Sequence, residues 1–234
     1  MQPIRLRMCL TKGEEIRFVS HLEYAKALER ALRRAKLPAA YSEGFNPHMK
    51  LSLASALAVG TTSRGECAEV ELTEKRPLEA LMSALSASLP PGMKLLKGIV
   101  VEGPAPKLMA IVAGASYQAR MPFNGELAAL EQLATEFLAL PSLPYEKKSL
   151  KGKATKVLDL RVLIRELSVA ADESGVVVIN MKMAMPPEGT IKPLEALKAL
   201  QQQLHWPLDL EKALVERLAL YENQSNEWRP VLGG

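Results

Sequence analysis

Two histidines and a run of arginines carry most of the chemistry that this chain could do. His21 stands in SHLEYAKALERALRRAKLP and His48 in YSEGFNPH, and together they could serve as a general acid–base pair for RNA cleavage, which needs no metal. His205, in LHWPLDL, is expected to pack beside Trp206. In the helix that follows Ser20, Lys26, Arg30, Arg33 and Arg34 recur at i, i+4, i+7 and i+8, which places them on one face. Guanidinium groups suit that face to bidentate phosphate contacts. The face leads into YSEGFNPHMK, where Tyr41 and Phe45 are aromatic and His48 and Lys50 add donors. Aromatic rings among basic side chains are what single-stranded nucleic acid sites use, because every base offers a face for stacking. Phe45 could equally plug the core. Gly44 permits backbone conformations closed to other residues, and Asn46 before Pro47 suggests an Asx-type turn.

A second basic cluster is SLKGKATKVLDLRVLIREL. Between Lys147 and Arg165 stand seven basic side chains, among them Lys151, Lys153, Lys156 and Arg161, against Asp159 alone. It reads either as a mobile basic loop or as one that closes over a polyanion bound between two halves of the chain. Charge placement supports that emphasis. Residues 1–105 hold 15 Lys/Arg against 11 Glu and no Asp, whereas residues 106–234 balance at 15 and 15, so the net +4 belongs to the first half.

Several functions are excluded by motif. There is no Walker loop, GxGxxG, HExxH or GxSxG. Pseudouridine formation needs an aspartate and would have to use Asp159 or a later one. No cofactor and no metal site is expected: Cys9 and Cys67 have no ligand spacing, cannot hold an iron–sulfur cluster, and read as two small buried hydrophobes rather than a bridge. No apolar run approaches the ~20 residues of a membrane span, and MQPIRLRMCLTKGEE lacks the long apolar segment of a signal peptide. A cytoplasmic protein with no membrane partner is the expectation.

The elements that must position these residues follow from periodicity. IRLRMCLT alternates as a strand. A helix runs from Ser20 to Lys36, with Ser20 and Glu23 in capping-box spacing, an apolar stripe of Leu22, Ala25, Leu28, Leu32 and Ala35, and Pro38 as its stop. LSLASALAV and GECAEVELTEK read as strands separated by the turn GTTSRG. PLEALMSALSASL is a helix with Pro77 in its first position, and MKLLKGIVVEG a closing strand. Strand, helix, strand, strand, helix, strand is the split βαβ order of a ferredoxin-like domain.

GPAPK (103–107) marks a boundary, and the order then recurs: ASYQARM, GELAALEQLATEFLAL, YEKKS, the ambiguous VLDLRVLIREL, VVVINMKMAM, PLEALKALQQQL and KALVERLALYE. PLEAL opens the second helix of each half, as an internal duplication would leave it. The fold class is therefore α+β, two ferredoxin-like halves with antiparallel sheets, over 1–105 and 106–234, with a loose tail from Asn223.

RFVSHL, RALRRAKLP and YSEGFNPH together resemble a bacterial domain of unknown function associated with radical SAM proteins, found alone or fused behind a radical SAM module. KGKATKVLDLRVLIREL and GTIKPLEAL resemble its later segments, so the likeness spans most of the chain. The resemblance implies joint importance for Arg17, Ser20, His21, Arg30, Arg33, Arg34, Tyr41, Ser42, Gly44, Phe45, Asn46, Pro47 and His48, without assigning them an activity. Two positions depart from the family pattern, Met49 where proline is commoner and Glu23 where aspartate is. The CxxxCxxC motif of the partner enzymes is missing. Three functions follow as expectations. One is an RNA-binding protein that holds ribosomal or transfer RNA or presents it to a radical SAM enzyme. The others are a metal-independent RNA-processing or RNA-modifying enzyme, and a subunit whose arginine face docks an acidic protein.

Overall fold

Alternation along Ile4–Lys12 and Thr61–Leu72 decides the architecture of the first part of the chain, because a strand with one apolar side must bury that side. The computed structural model describes residues 3–148, 155–172, 174–225 and 227–233. It divides into two compact units, Met1–Val112 with Ala219–Gly234, and Ala113–Leu218.

The first unit runs β1 (Ile4–Lys12), α1 (His21–Arg34), β2 (Leu51–Leu53), β3 (Thr61–Leu72), α2 (Leu78–Ser86) and β4 (Leu95–Glu102). β1 pairs antiparallel with both β3 and β4, and β2 antiparallel with β3, so the order is β4-β1-β3-β2. This is the expected ferredoxin-like arrangement. Leu6, Met8 and Leu10 lie opposite Val70, Ala68 and Glu66, and the apolar members of that row share one core with Leu28, Leu32, Leu81 and Leu85 of the two helices.

The other sheet face carries charge. Arg5, Arg7 and Cys9 lie opposite Glu71, Glu69 and Cys67. Arg7 Nε donates to Glu69 Oε2 at 2.7 Å with both side chains buried. Arg7 Nη2 also donates to the Pro106 carbonyl, and Arg5 Nη1 to the Ala105 carbonyl at 2.7 Å. These bonds lay the GPAPK segment across the sheet and lead into the short α3 (Leu108–Ile111). Cys9 and Cys67 are a bridge and not the two separate small hydrophobes expected of them. Register sets them directly opposite, with Cα atoms 4.1 Å apart, and their sulfurs are bonded.

The second unit contains β5 (Val112–Pro122), α4 (Leu127–Ala139), a hairpin of β6 (Pro144–Lys148) and β7 (Thr155–Asp159), and α5 (Leu160–Leu163). It continues with β8 (Ile164–Ala171), β9 (Val176–Ala184), α6 (Pro193–Leu204) and the first part of β10 (Leu214–Gln224), whose residues from Ala219 onward belong to the first unit. β9 pairs antiparallel with β5 and β8, and β10 lies beside β5, giving β10-β5-β9-β8. The topology matches the first unit, with the hairpin inserted between α4 and β8. PLEAL opens α2 and α6, the equivalent helices, although Pro77 is the N-cap of α2 and only Pro193 takes the first helical position.

Some local readings are corrected. VLDLRVLIREL is not one element: it ends β7, turns through α5 and begins β8. The strand LSLASALAV shortens to three residues, while TTSRG belongs to β3, because β-branched Thr61 and Thr62 are buried and Ser63 pairs with Lys12. The tail is not loose through the described residues. β11 (Glu227–Pro230) pairs with β10, and Trp228 stacks on Tyr221 at 5.9 Å. Trp206 is buried, whereas His205 is exposed, in a left-handed conformation after α6.

α1 ends before Pro38 acts. Lys36 N–H donates to Arg33 O and Leu37 N–H to Leu32 O, the paired bonds of a Schellman motif, and they require a left-handed residue at Lys36, with φ of 50°. Lysine carries a Cβ penalty there that glycine avoids. Lys36→Gly should therefore stabilise the protein by about 1 kcal/mol, read from the shift of its denaturant midpoint.

Candidate nucleic-acid interface

α1 presents its basic residues outward because its buried side is well defined. Tyr24, Leu28, Ala31 and Leu32 face the core. Leu22 is not part of that stripe: it is 71 % exposed, since at 100° per residue it falls roughly opposite Tyr24. Leu22, Lys26, Arg30 and Arg33 instead form one outward ridge at i, i+4, i+8 and i+11, all exposed. Arg33 pairs with Glu29 at 2.5 Å. Arg34 sits on the flank, donating to the Ser88 carbonyl at 2.6 Å.

The helix start is occupied by its own residues. Glu23 N–H donates to Ser20 Oγ, and the Glu23 carboxylate accepts from Ser20 N–H at 2.9 Å and from Ser20 Oγ at 2.7 Å. The Ser20 side chain and backbone bonds, with a smaller contribution from Lys26, hold the Glu23 carboxyl below its ordinary value. A depressed carboxyl stabilises the fold above its unfolded pKa, and that contribution disappears as pH falls through the folded pKa. Ser20→Ala should raise the Glu23 carboxyl towards the usual range, as followed by NMR titration of its side chain.

The YSEGFNPH segment is a closed, projecting loop. Its base is stitched to β3: Ala40 N–H donates to Glu71 O, Glu71 N–H to Lys50 O, and Lys50 N–H to Ala40 O. Above these, Tyr41 bridges Met49, Ser42 N–H donates to His48 O, and His48 N–H donates to Ser42 Oγ at 3.0 Å. Ser42, rather than an Asx turn at Asn46, closes the loop. Met49 is buried and anchors it. At the tip Gly44 has φ of 109°, which strains any residue with a Cβ. Phe45 does not plug the core; it is fully exposed, and Asn46 and Pro47 beside it are exposed too. Tyr41 lies beneath the Arg33 guanidinium, 5.7 Å from its ring centroid.

The expected site residues therefore fall into groups. Arg30, Arg33 and Tyr41 come together with Lys26 at the ridge, and Ser42, Gly44, Phe45, Asn46 and His48 form the loop beside it. Arg17, Ser20 and His21 sit at the other end of α1, by Lys12, whose Nζ donates to Arg17 O at 2.9 Å. Arg17 pairs with Glu14 at 3.1 Å and stacks 4.7 Å over the Phe18 ring.

His21 and His48 are not brought together. His21 starts α1 above the Lys12 end of the sheet, whereas the loop is fixed at Glu71, near the Ile4 end of β1, about 20 Å away along the strands. Lys50 turns to the far sheet face and pairs with Glu71 at 3.1 Å. There it lines a cleft of about 380 Å³ with Leu51, Ser52, Glu69, Glu71, Lys107 and Met109.

In the second unit, Lys151 and Lys153 lie outside the described residues, and Lys156 is exposed on β7. Arg161 is structural: it donates to the Leu138 and Ile164 carbonyls at 2.9 and 2.8 Å and sits over Phe137. Asp159 is likewise committed. Burial pushes its carboxyl up, but the Leu143 N–H, the Ser142 hydroxyl and the Arg161 N–H outweigh that and hold it below its ordinary value. Those bonds occupy the group that base isomerisation would need.

Charged side chains also lie inside the first unit. Lys12 and Glu66 are each 2 % exposed. Burial first, and Glu66 second, push the Tyr24 phenol well above its ordinary value, while its hydroxyl donates to Thr11 O at 3.0 Å. Parity was the signal for these charges. Lys12 continues the inward series Leu6, Met8 and Leu10, and Glu66 precedes the inward Ala68, Val70 and Leu72.

Among the described residues no helix is long and apolar enough to cross a membrane, and no cluster of His, Cys, Asp or Glu could hold a metal. No curated protein matches the chain. Among solved structures, a putative glycine cleavage system transcriptional repressor is similar over 92 % of this chain and 96 % of its own, at 6 % identity and a TM-score of 0.24, a likeness that carries no argument. A family model described as an uncharacterized protein conserved in bacteria, DUF2344, matches residues 5–193. That match runs from the first strand to the first residue of α6 and takes in the ridge and the loop, so the chain belongs to the DUF2344 family.

Proposed function

We propose that this protein binds RNA through the outward ridge of α1 and the loop at 41–48. The observation that carries the reading is Phe45, fully exposed at the tip of a loop whose base is hydrogen-bonded into the sheet. A large apolar ring held in solvent by a braced loop loses its burial energy unless something covers it. Lys26, Arg30 and Arg33, on the ridge that reaches the loop at Tyr41, favour a polyanion, and Tyr41 offers a second stacking surface. Accessible bases occur in loops and bulges of folded RNAs, including ribosomal and transfer RNA, and these are the ligand class proposed. Presentation of that RNA to a radical SAM enzyme is the finer part of the proposal. It rests on the resemblance of Arg17–Leu22 and Tyr41–His48 to domains fused to such enzymes.

The test is binding of labelled total RNA across a salt series, comparing the parent with a Lys26/Arg30/Arg33→Ala triple variant. Weaker binding is expected, with the slope of log affinity against log salt flattened by about two if each side chain meets one phosphate. Equal affinity and equal slope in the variant would remove the proposal.

A further inference from the structure

Resting on that reading, we infer that the bound RNA is a single strand lying lengthwise along α1, held at its far end by a second stacking site at Phe18 that the Arg17 guanidinium braces. Two ends of one helix carry the same device. At the C-terminal end Arg33 covers Tyr41 at 5.7 Å, and at the N-terminal end Arg17 covers Phe18 at 4.7 Å. Phe18 and Leu22 are each 71 % exposed, and Val59 is 58 % exposed on the loop whose Gly60 N–H donates to Arg17 O. Three large apolar side chains therefore stand in solvent at the first turn of α1. The core has no claim on them, because Tyr24 and Leu28 fill the sheet-facing side. Arg17 is positioned rather than free, held by Glu14 and through its carbonyl by Lys12 and Gly60, so the Phe18 ring is braced before any ligand arrives.

Between the two rings the ridge is cationic. Lys26 and Arg30 are exposed and follow Leu22 at four-residue steps. From Leu22 to Arg33 the helix rises about 17 Å, which is about five nucleotides at stacked spacing of ~3.4 Å. A duplex could meet the cations but would hide its bases from both rings. The ring–cation–ring order thus selects a single strand over a duplex, and over an acidic protein that would need only the charges.

The experiment measures anisotropy of 5′-labelled oligouridylates of two to twelve nucleotides with the parent, Phe18→Ala and Phe18→Trp. The expected result is affinity that climbs steeply up to about five nucleotides and slowly beyond. Phe18→Ala should weaken the longer oligomers by about 5- to 100-fold, leave dinucleotide binding unchanged, and be rescued by Phe18→Trp. Length-independent affinity, no effect of Phe18→Ala at any length, or equal competition by duplex RNA or polyglutamate would overturn the inference. If oligomers bind and still depend on Lys26 and Arg30 while Phe18 is silent, the proposed function stands and only this inference fails. If the parent binds neither oligomers nor total RNA, both fall.

Discussion

Replacing Glu69 by alanine is expected to destabilise the protein by about 3–5 kcal/mol, the usual cost of removing one partner from a buried ion pair. Glu69 is 5 % exposed and its carboxylate is 2.7 Å from Arg7 Nε. Without it, the Arg7 guanidinium stays between β1, β3 and the segment at Pro106 with its charge uncompensated and the Pro106 carbonyl as its remaining acceptor among the described residues. Arg7 cannot shed its proton to escape, because guanidinium remains charged in proteins. Denaturant unfolding of Glu69→Ala, Arg7→Met and the double variant would measure the pair. The double variant is expected to be far closer to the parent than Glu69→Ala, since it removes the orphaned charge along with its partner. If Glu69→Ala unfolds within about 1 kcal/mol of the parent, the pair is not the buried one described.

Leu28→Ala is expected to cost about 2–5 kcal/mol, and Leu22→Ala under about 0.5 kcal/mol, although both were candidates for one apolar stripe. Leu28 is fully buried in the core that joins α1 to β1, β3 and α2. Truncation there leaves a cavity under the middle of the helix that carries the ridge. Leu22 is 71 % exposed and loses nothing on truncation that the core would notice. Thermal or chemical unfolding separates the two readings of the stripe directly. Comparable losses at both positions would mean that α1 is rotated from the orientation described.

Phase along the chain was legible in the sequence wherever a single strand or helix settled it. Alternation in IRLRMCLT, the Ser20–Glu23 spacing and the repeated PLEAL gave the first strand, the start of the first helix and the equivalent second helices of the two units, because these are local periodicities and local hydrogen bonds. The basic ridge was legible too, since residues four apart on a helix must be neighbours.

What pairing decides was not legible. The bond between Cys9 and Cys67 depends on the register of two strands 58 residues apart, and neither strand carries that number. Leu22 misled because an apolar residue at the start of a helix fits a stripe by type. Only the sheet beneath shows that Tyr24 takes the buried place, and an aromatic with a hydroxyl was the less obvious candidate. By type alone Phe45 fits a stacking ring or a core plug, and it is the bonds from Ala40, Ser42 and Lys50, bracing a loop that carries it away from the core, that decide between them. Separation of His21 from His48 likewise follows from the length of β1 and β3, not from anything in either motif. Which residues can share a face could be read along the chain, because face-sharing is a matter of backbone repeat. Which face meets the core and which charges meet each other emerged with the folded chain, because those depend on how distant strands are paired.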